Sequence, residues 1–272
     1  MSTFHDDLEL DEALDEIDPL RHLMHQSDDD EDEPKVLVPK QLRSVQGETL
    51  HLSFASPQPQ IAIEIALAVD ASPGCGGIAW PAGEVLSSYL AKRGPDFVQG
   101  RNILELGSGT GLVGLVAAKL QLHKTTPVRA KTPSVWITDQ APLLDIMHRN
   151  VKLNDLCSTV AVAELNWGLP LPSSLPTPDL VLAADCVYFE PAFPLLVQTL
   201  CDLVDVGTGD KEPEILFCYK KRRKADKRFF NLLGKAFIWN EVMDDPDRVA
   251  YNREAITLLR LSRRKPSGRK TR

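Results

Sequence analysis

A glycine-rich turn at residues 103–114, with the sequence ILELGSGTGLVG, has the residue types and spacing of a ligand-binding loop. An apolar run and an acid precede Gly107, Gly109 and Gly111, and a stretch with helical spacing follows them. Glycines at such a strand-to-helix turn let the main chain approach a ligand closely. We therefore predict that this loop binds a small molecule through its backbone.

The spacing of these glycines narrows the class of ligand. A dinucleotide fingerprint requires GxGxxG, but Leu112 stands where its third glycine belongs. The Lys-Ser/Thr pair of a P-loop does not follow the glycines either. The pattern that remains, ExGxGxG, suits a ligand that carries an amino acid and a ribose without a pyrophosphate. We predict that the cofactor is S-adenosylmethionine.

Asp139 ends the next apolar run, VWITD, and offers this cofactor a second contact. A carboxylate at the tip of the second strand can accept hydrogen bonds from ribose hydroxyls. Asp139 follows the glycines by more than the usual ~20 residues. We interpret residues 123–134 as a surface insertion, which accounts for the longer separation. Spacing alone equally allows a helix-capping role for Asp139, but the glycine loop favours the ribose role.

Two more polar residues follow the apolar run DLVLAAD: Asp185 ends the run, and Tyr188 comes three residues later. Open α/β sheets bind ligands outside the carboxyl ends of their strands. We therefore predict that this DxxY pair faces the bound ligand. The alternative is that Asp185 caps a helix or a turn.

Strands that alternate with helices must position these residues. Four short β-rich runs are predicted to be strands, namely RNILELGSGTG, VWITD, TVAVAEL and DLVLAAD. Three further strands are predicted at 214–221, 236–242 and 255–261. This alternation predicts an α/β, Rossmann-like fold with a mostly parallel sheet and helices on both faces. Segments 48–54 and 61–69, joined by a Pro-rich loop, predict an N-terminal β-hairpin.

The length and the charge distribution predict one domain between two tails. The chain has 272 residues and 43% hydrophobic content, which is enough for a large core. Its net charge of −7 divides into −13 for residues 1–34 and +6 for the remainder. We predict an acidic disordered tail at 1–34, one domain at 35–262 that includes the hairpin, and a basic disordered tail at 263–272.

Composition also bears on the compartment and on metal binding. No apolar run approaches the ~18 residues of a membrane span, and the N-terminus is acidic where a signal peptide is basic. We therefore expect a protein of the cytosol or nucleus, favour the cytoplasm, and expect a monomer. Five scattered cysteines and six scattered histidines predict no disulfide framework and no metal site.

The motifs occur in an order that resembles the seven-β-strand methyltransferases of the lysine-methylating family 16. They are GGIAWPAGEVLSSYL, ILELGSGTGLVG, ITD, LNWG and AADCVYFE, and the resemblance covers about residues 45–262. The stretch FCYKKRRKADKRFF further resembles the fungal enzymes that methylate a lysine of translation elongation factor 1-alpha. This resemblance implies a seven-stranded sheet whose last strand pair is antiparallel, with the cofactor across the carboxyl ends of the central strands.

The resemblance also assigns the cofactor contacts, which are Trp80, Gly107, Ser108, Gly109, Asp139, Trp167 and Ala184. It implies that Trp80 lines the methionine end, which the glycine loop cradles by its backbone. Trp167 would pack beside the adenine, and Ala184 would lie beneath the cofactor. The alternative for each tryptophan is an ordinary core position.

By the same resemblance, Asp185 and Tyr188 form the substrate side of the site. A lysine of pKa ~10.4 must lose a proton before it attacks a sulfonium methyl, at a cost of about 4 to 5 kcal/mol at pH 7. Burial beside the positive sulfonium lowers the pKa of the amine, and the two side chains would then orient it. Because an ionised Asp185 alone would stabilise the ammonium, orientation and capture are favoured over general-base action.

The basic run KKRRKADKR at 220–228 places seven cations in nine residues. It could bind an acidic surface of a protein substrate or the phosphates of RNA. No interleaved aromatic residues or RNA-module signature accompany it, so a protein substrate is favoured.

Two other functions remain open at this point. The first is a methyltransferase of the same fold that acts on RNA or on a small molecule. The sequence DCVY lacks the prolines of the (N/D)PPY motif that methylates amino groups of nucleic acids, which disfavours an RNA acceptor. The second is a non-catalytic module that binds the cofactor and a partner protein. The intact glycines together with Asp139 and Asp185 argue against an inactive site.

Overall fold

The computed structural model describes residues 46–56, 62–70, 75–123, 133–206, 212–224 and 226–264. The predicted acidic tail and most of the predicted surface insertion and basic tail lie outside these ranges. The proposed domain limits therefore stay predictions.

Nine strands and seven helices account for most of the described ranges. The strands are β1 (Gln46–Ala55), β2 (Ala62–Asp70), β3 (Ile103–Leu106), β4 (Val135–Asp139), β5 (Val160–Glu164), β6 (Leu180–Ala184), β7 (Glu214–Lys220), β8 (Phe237–Glu241) and β9 (Ile256–Arg263). The helices are α1 (Pro81–Arg93), α2 (Pro95–Val98), α3 (Leu112–Leu122), α4 (Leu144–Leu153), α5 (Phe193–Asp205), α6 (Asp226–Ala236) and α7 (Arg248–Arg253). None of the helices in these ranges is both long enough and apolar enough to cross a bilayer.

A seven-stranded sheet in the order β5-β4-β3-β6-β7-β9-β8 forms the centre of the fold. The first five strands in this order, from β5 through β4, β3 and β6 to β7, are parallel to one another. Strand β9 is antiparallel to both β7 and β8. This arrangement confirms the predicted α/β class, the seven strands and the antiparallel last pair. It also places all the carboxyl ends of β3, β4 and β6 at one edge of the sheet.

Alternate residues of the central strands fill two separate cores, one on each face of the sheet. Ile103 and Leu180 belong to the core shared with α1, α3, α4 and the hairpin. Their chain neighbours Leu104 and Val181 belong to the core shared with α5 and α6. Side chains of a strand point alternately to its two faces, so strands covered on both sides are apolar throughout. This confirms the predicted helices on both faces.

Helix α6 was not predicted from the sequence. It begins at Asp226, inside the basic run, and it buries Phe229 and Leu233, which lie one turn apart on the same face. Two apolar positions among many charges give a weak periodic signal. The helix forms because that narrow apolar face packs into the core below α5.

The predicted N-terminal hairpin is present and packs beside the sheet. Its strand β2 is bound to α4 by two buried asparagines, and each asparagine both donates and accepts. Asn150 accepts from the Ala68 N–H at 2.6 Å and donates to the Ala68 carbonyl at 3.0 Å. Asn154 accepts from the Ala66 N–H at 3.0 Å and donates to the Ala66 carbonyl at 2.7 Å. Asn150 also donates to the carbonyl of Thr110 at 2.9 Å, which connects the hairpin to the glycine loop.

Candidate active site

A cavity of about 400 Å³ lies at the carboxyl ends of β3, β4 and β6. All nine residues that the sequence singles out line it, namely Trp80, Gly107, Ser108, Gly109, Asp139, Trp167, Ala184, Asp185 and Tyr188. They come from five separate segments of the chain, so the fold brings every predicted site residue to one place. Over the described residues, no three His, Cys, Asp or Glu side chains are grouped to hold a metal ion.

The glycine loop needs glycine for both conformation and space. Gly107 and Gly109 have φ values of 63° and 55°, in the left-handed region that favours glycine. A Cβ atom on Gly107 would lie 2.8 Å from Cζ2 of Trp167, and one on Gly109 would lie 2.5 Å from the carbonyl oxygen of Gly76. Both contacts are too short for a carbon atom, so side chains are excluded on this wall of the cavity.

Ser108 fixes the loop between two neighbouring strands. Its Oγ donates to the Glu105 carbonyl at 3.1 Å and accepts from the Thr138 N–H at 2.8 Å. The Ser108 N–H donates to the Thr138 carbonyl at 2.9 Å. The side chain of Ser108 is therefore used to hold the loop to β3 and β4, and the loop meets the cavity mainly with its backbone.

Asp139 lies at the tip of β4, beside the glycine loop. Its Oδ2 accepts from the Gly109 N–H at 2.8 Å, and its Oδ1 accepts from the Gln140 N–H at 2.7 Å. Burial raises the pKa of Asp139, and these two hydrogen bonds act in the opposite direction. The turn at Ala141–Leu143 has Gln140 as its N-cap and shows no side-chain capping bond, so the helix-cap alternative for Asp139 is not what the structure shows.

Glu105 is a buried acid beneath the loop, and the sequence indicated it only as the acid of the ExGxGxG pattern. Its Oε2 accepts from the Gly114 N–H at 2.9 Å, in the first turn of α3. Burial raises the pKa of Glu105 to about 8, although the backbone N–H groups and Ser108 oppose the rise. Glu105 therefore couples the start of α3 to the cavity and titrates close to neutral pH.

Asp185 is held from the side of β7. It is 7% exposed and has a φ of 55°, which is uncommon for a residue other than glycine. The guanidinium of Arg222 donates to both of its oxygens, Nη1 to Oδ1 at 2.8 Å and Nη2 to Oδ2 at 2.9 Å. The Lys220 N–H donates to Oδ1 at 3.1 Å. The carboxylate thus belongs to a buried two-point ion pair, which sequence reasoning missed.

The basic run 220–228 does not form one solvated surface. Arg222 is directed to Asp185, and its guanidinium carbon lies 5.7 Å from the ring centroid of Trp80. Arg223 is buried and donates from Nε to Asp226 at 3.1 Å, while Asp226 also accepts from the Arg222 N–H at 3.0 Å. Two of the seven cations are therefore internal, so the predicted role of this run in substrate binding falls to the other five. The sequence shows seven cations in this run, and nothing in it distinguishes Arg222 and Arg223 from the other five.

The mouth of the cavity carries exposed apolar side chains that were not predicted from the sequence to belong to the site. Phe189 is 39% exposed and Leu195 is 45% exposed, and both line the cavity close to Tyr188. Leu195 also packs against Gly168, next to Trp167. This rim can exclude water from a long apolar side chain that enters the cavity.

Comparison with known proteins identifies the family. The family described as "Lysine methyltransferase" matches residues 59–236. Protein-lysine N-methyltransferase EFM6 of Saccharomyces cerevisiae is 40% identical over 212 residues, which cover 70% of this chain and 82% of that protein. Protein N-lysine methyltransferase METTL21A of Danio rerio is 37% identical over 180 residues, with 64% and 74% covered. EEF1A lysine methyltransferase 3 of Xenopus tropicalis is 30% identical over 169 residues, with 60% and 68% covered.

A solved structure shares the fold. The 16S rRNA N2 G1207 methyltransferase RsmC of T. thermophilus, solved with AdoMet and guanosine, matches with a TM-score of 0.52 and 15% identity. The match covers 82% of this chain and 52% of that one, and at this identity it bears on the fold alone. The family match spans more than half of the chain, and it confirms the resemblance read from the motifs. The chain belongs to the lysine methyltransferase family, whose members are S-adenosylmethionine-dependent enzymes.

Proposed function

We propose that this enzyme transfers a methyl group from S-adenosylmethionine to a lysine of translation elongation factor 1-alpha. One observation carries the proposal: a backbone cradle at Gly107, a carboxylate at Asp139 and the Asp185–Tyr188 pair share one cavity. The choice of substrate is supported by a relative that is named an EEF1A lysine methyltransferase.

The residues present fit the cofactor. The backbone of Gly107 and Gly109 would hold it, on a wall of the cavity where an added Cβ atom would overlap Trp167 or the carbonyl oxygen of Gly76. A carboxylate oxygen has two acceptor sites, so Asp139 keeps capacity for ribose hydroxyls beyond its two backbone partners. The ring of Trp167 lies next to the loop. When bound, S-adenosylmethionine supplies an electrophilic methyl group on a positively charged sulfur.

The protein must bring the substrate amine to the cavity as a free base. Deprotonation of a lysine at pH 7 costs about 4 to 5 kcal/mol. The apolar rim of Phe189 and Leu195 removes water from the side chain, and desolvation lowers the pKa of an amine. Asp185 and Tyr188 would then accept its N–H groups and aim its lone pair, which is catalysis by positioning.

The exposed part of the basic run supports a protein substrate. Three lysines close to Arg222 in the chain are exposed, namely Lys221, Lys224 and Lys227. Exposed cations beside a site steer an acidic partner and fix its orientation. We further propose that the enzyme acts as a monomer in the cytoplasm, where translation factors function.

The proposal is tested by incubating the purified enzyme, labelled S-adenosylmethionine and purified elongation factor 1-alpha. We expect label on one lysine, identified by mass spectrometry, and no label after that lysine is changed to arginine. Total RNA and a metabolite extract serve as competing acceptors in the same assay. Label on either of those acceptors and not on the factor would contradict the proposal.

The proposed monomeric state is tested by analytical ultracentrifugation at micromolar protein concentration. We expect one species with the mass of a single chain, and a species of twice that mass would contradict the proposal.

A further inference from the structure

The Arg222–Asp185 pair is more enclosed than an ordinary ion pair at a site mouth. The side chains are 8% and 3% exposed, and the pair is joined by two parallel hydrogen bonds. Two-point contacts of this kind fix orientation as well as charge. The pair therefore holds the carboxylate in one position.

The site has opposing requirements for Asp185. A carboxylate is a good acceptor for the N–H groups of an amine, and it can capture a lysine. A lone negative charge within about 4 to 6 Å also favours the ammonium form, which has no free lone pair for methyl transfer. The residue that captures the substrate would therefore oppose the reaction unless its charge is balanced.

We propose that Arg222 is a positioning residue that balances the charge of Asp185, so that Asp185 orients the substrate amine without stabilising it as an ammonium. This inference rests on the proposed lysine acceptor. It assigns Arg222 no contact with the substrate.

The location of Arg222 supports this role. Within the described ranges, Trp80 and Asp185 line the cavity and Arg222 does not. Arg222 thus contacts both walls from behind, through the ion pair with Asp185 and through the ring face of Trp80 at 5.7 Å. Oδ1 of Asp185 already accepts from both Arg222 and the Lys220 N–H, whereas over the described residues Oδ2 accepts from Arg222 alone. A carboxylate oxygen has two acceptor sites, so Oδ2 can still accept from an amine.

The chain around Arg222 is fixed as well. Its backbone N–H donates to Asp226 at 3.0 Å, and the Arg223 N–H donates to the same oxygen at 3.1 Å. Arg223 pairs with Asp226 through its own side chain, and both are buried. Asp226 is thereby neutralised locally, so the positive charge of Arg222 is directed to Asp185.

Other ionisable groups surround the pair and will contribute to any pH profile. Over the described residues they include Glu105, Asp139, Cys186, Tyr188, Cys218, Asp226 and Asp245. Burial raises the pKa of the Cys186 and Cys218 thiols, which keeps them neutral. Burial raises the pKa of Glu105 to about 8, within the range of an assay. These groups are common to all variants, so differences between variants report on the Arg222–Asp185 pair.

The test compares Arg222→Gln, which keeps a donor but removes the charge, with Arg222→Lys, which keeps the charge but removes the fork. In Arg222→Gln we expect the acidic limb of the kcat–pH profile to move up by about one unit, a tenfold loss of kcat at pH 7. KM for the lysine substrate should fall, because the lone carboxylate binds the ammonium more tightly. In Arg222→Lys we expect a lower kcat with the acidic limb unmoved.

Asp185→Asn gives an independent reading if Arg222→Gln does not fold. It leaves Arg222 without its counter-charge, and a positive charge lowers the pKa of a nearby amine. The acidic limb of the residual activity should then move to lower pH. Binding of a lysine peptide in the presence of S-adenosylhomocysteine, measured by calorimetry from pH 6 to 10, should show the same opposite shifts without turnover.

Arg101→Gln is the matched control. Arg101 pairs with Glu214 at 2.8 Å at the amino end of β7, away from the cavity, and its loss should leave the acidic limb unmoved. Equal limbs in wild type, Arg222→Gln and Asp185→Asn would overturn the inference, as would weaker peptide binding in Arg222→Gln. Such a result leaves the proposed function standing if the wild type still methylates its substrate. Failure of the wild type on every lysine substrate would instead remove the proposed function.

Discussion

The cofactor side and the substrate side of this cavity are built from different parts of the chain. The cofactor side consists of backbone between β3 and β4, with Ser108 and Asp139 holding the glycine loop in shape. The substrate side depends on one buried ion pair between the ends of β6 and β7. Cofactor binding should therefore respond to changes of shape, and turnover should respond to changes of charge.

The largest expected effect comes from filling the backbone cradle. Gly107→Arg should weaken cofactor binding by at least about 100-fold, because even its Cβ would meet Trp167 at 2.8 Å and overpacking displaces the surrounding structure. Isothermal calorimetry with S-adenosylmethionine measures the loss. Gly100→Arg is the control, since Gly100 also has a positive φ of 70° but faces open space, and it should bind normally. Equal losses in both variants would mean that backbone strain, and not the cradle, explains the effect.

Asp185→Asn should lower kcat by about 100-fold and change cofactor affinity by less than about twofold, because the positioned carboxylate acts on the substrate alone. Single-turnover methylation and calorimetry measure the two quantities on the same sample. Asp145→Asn, an exposed change on α4, should alter neither. A large loss of cofactor affinity in Asp185→Asn would break the division between the two sides.

Lys221→Glu should raise KM for the protein substrate by about threefold to tenfold with kcat unchanged, because exposed charges contribute modestly and act on encounter. The effect should shrink as salt is added, since salt screens exposed charges. Lys152→Glu on α4 makes the same change of charge at another exposed position and should have no effect. A salt-independent loss of kcat would place Lys221 within the site and contradict its assignment to the surface.

The last expected effect is on stability and not on activity, and it concerns the pH dependence of unfolding on the cofactor side. The pKa of Glu105 is raised from 4.5 to about 8 in the folded protein, so between these values the folded state binds the proton more strongly than the unfolded state. Stability therefore falls as pH rises through that window. Glu105→Gln lacks this titration, so its Tm relative to wild type should rise by roughly 10 °C from pH 5 to pH 8. A constant difference across that range would show that Glu105 does not titrate there.

The cofactor side was predictable because its signals are local. The glycine spacing, the acid at the end of VWITD and the apolar runs around them each depend on neighbouring residues. The structure places all nine predicted residues in one cavity, while their individual contacts remain predictions. Helix α6 was missed because its buried positions, Phe229 and Leu233, are outnumbered by charged neighbours.

The ion pair of the substrate side was not predictable from this sequence. Asp185 and Arg222 are joined only because β6 and β7 are neighbours in the sheet, with Ala184 opposite Cys218. The run that contains Arg222 offers seven cations of the same sign, and no local feature marks the one that turns inward. Long-range pairing of this kind is set by strand order, which periodicity does not reveal.

The two asparagines of α4 carry a consequence for the edge of the hairpin. Four residues of a helix rise roughly 6 Å, and two residues of a strand span about 6.7 Å, so Asn150 and Asn154 match Ala68 and Ala66 in step. The helix thereby substitutes for a third strand and leaves that stretch of β2 no free amides with which to recruit another chain. A shift of β2 by one residue would remove the backbone partners of both asparagines. The same pair therefore also sets the register of the hairpin.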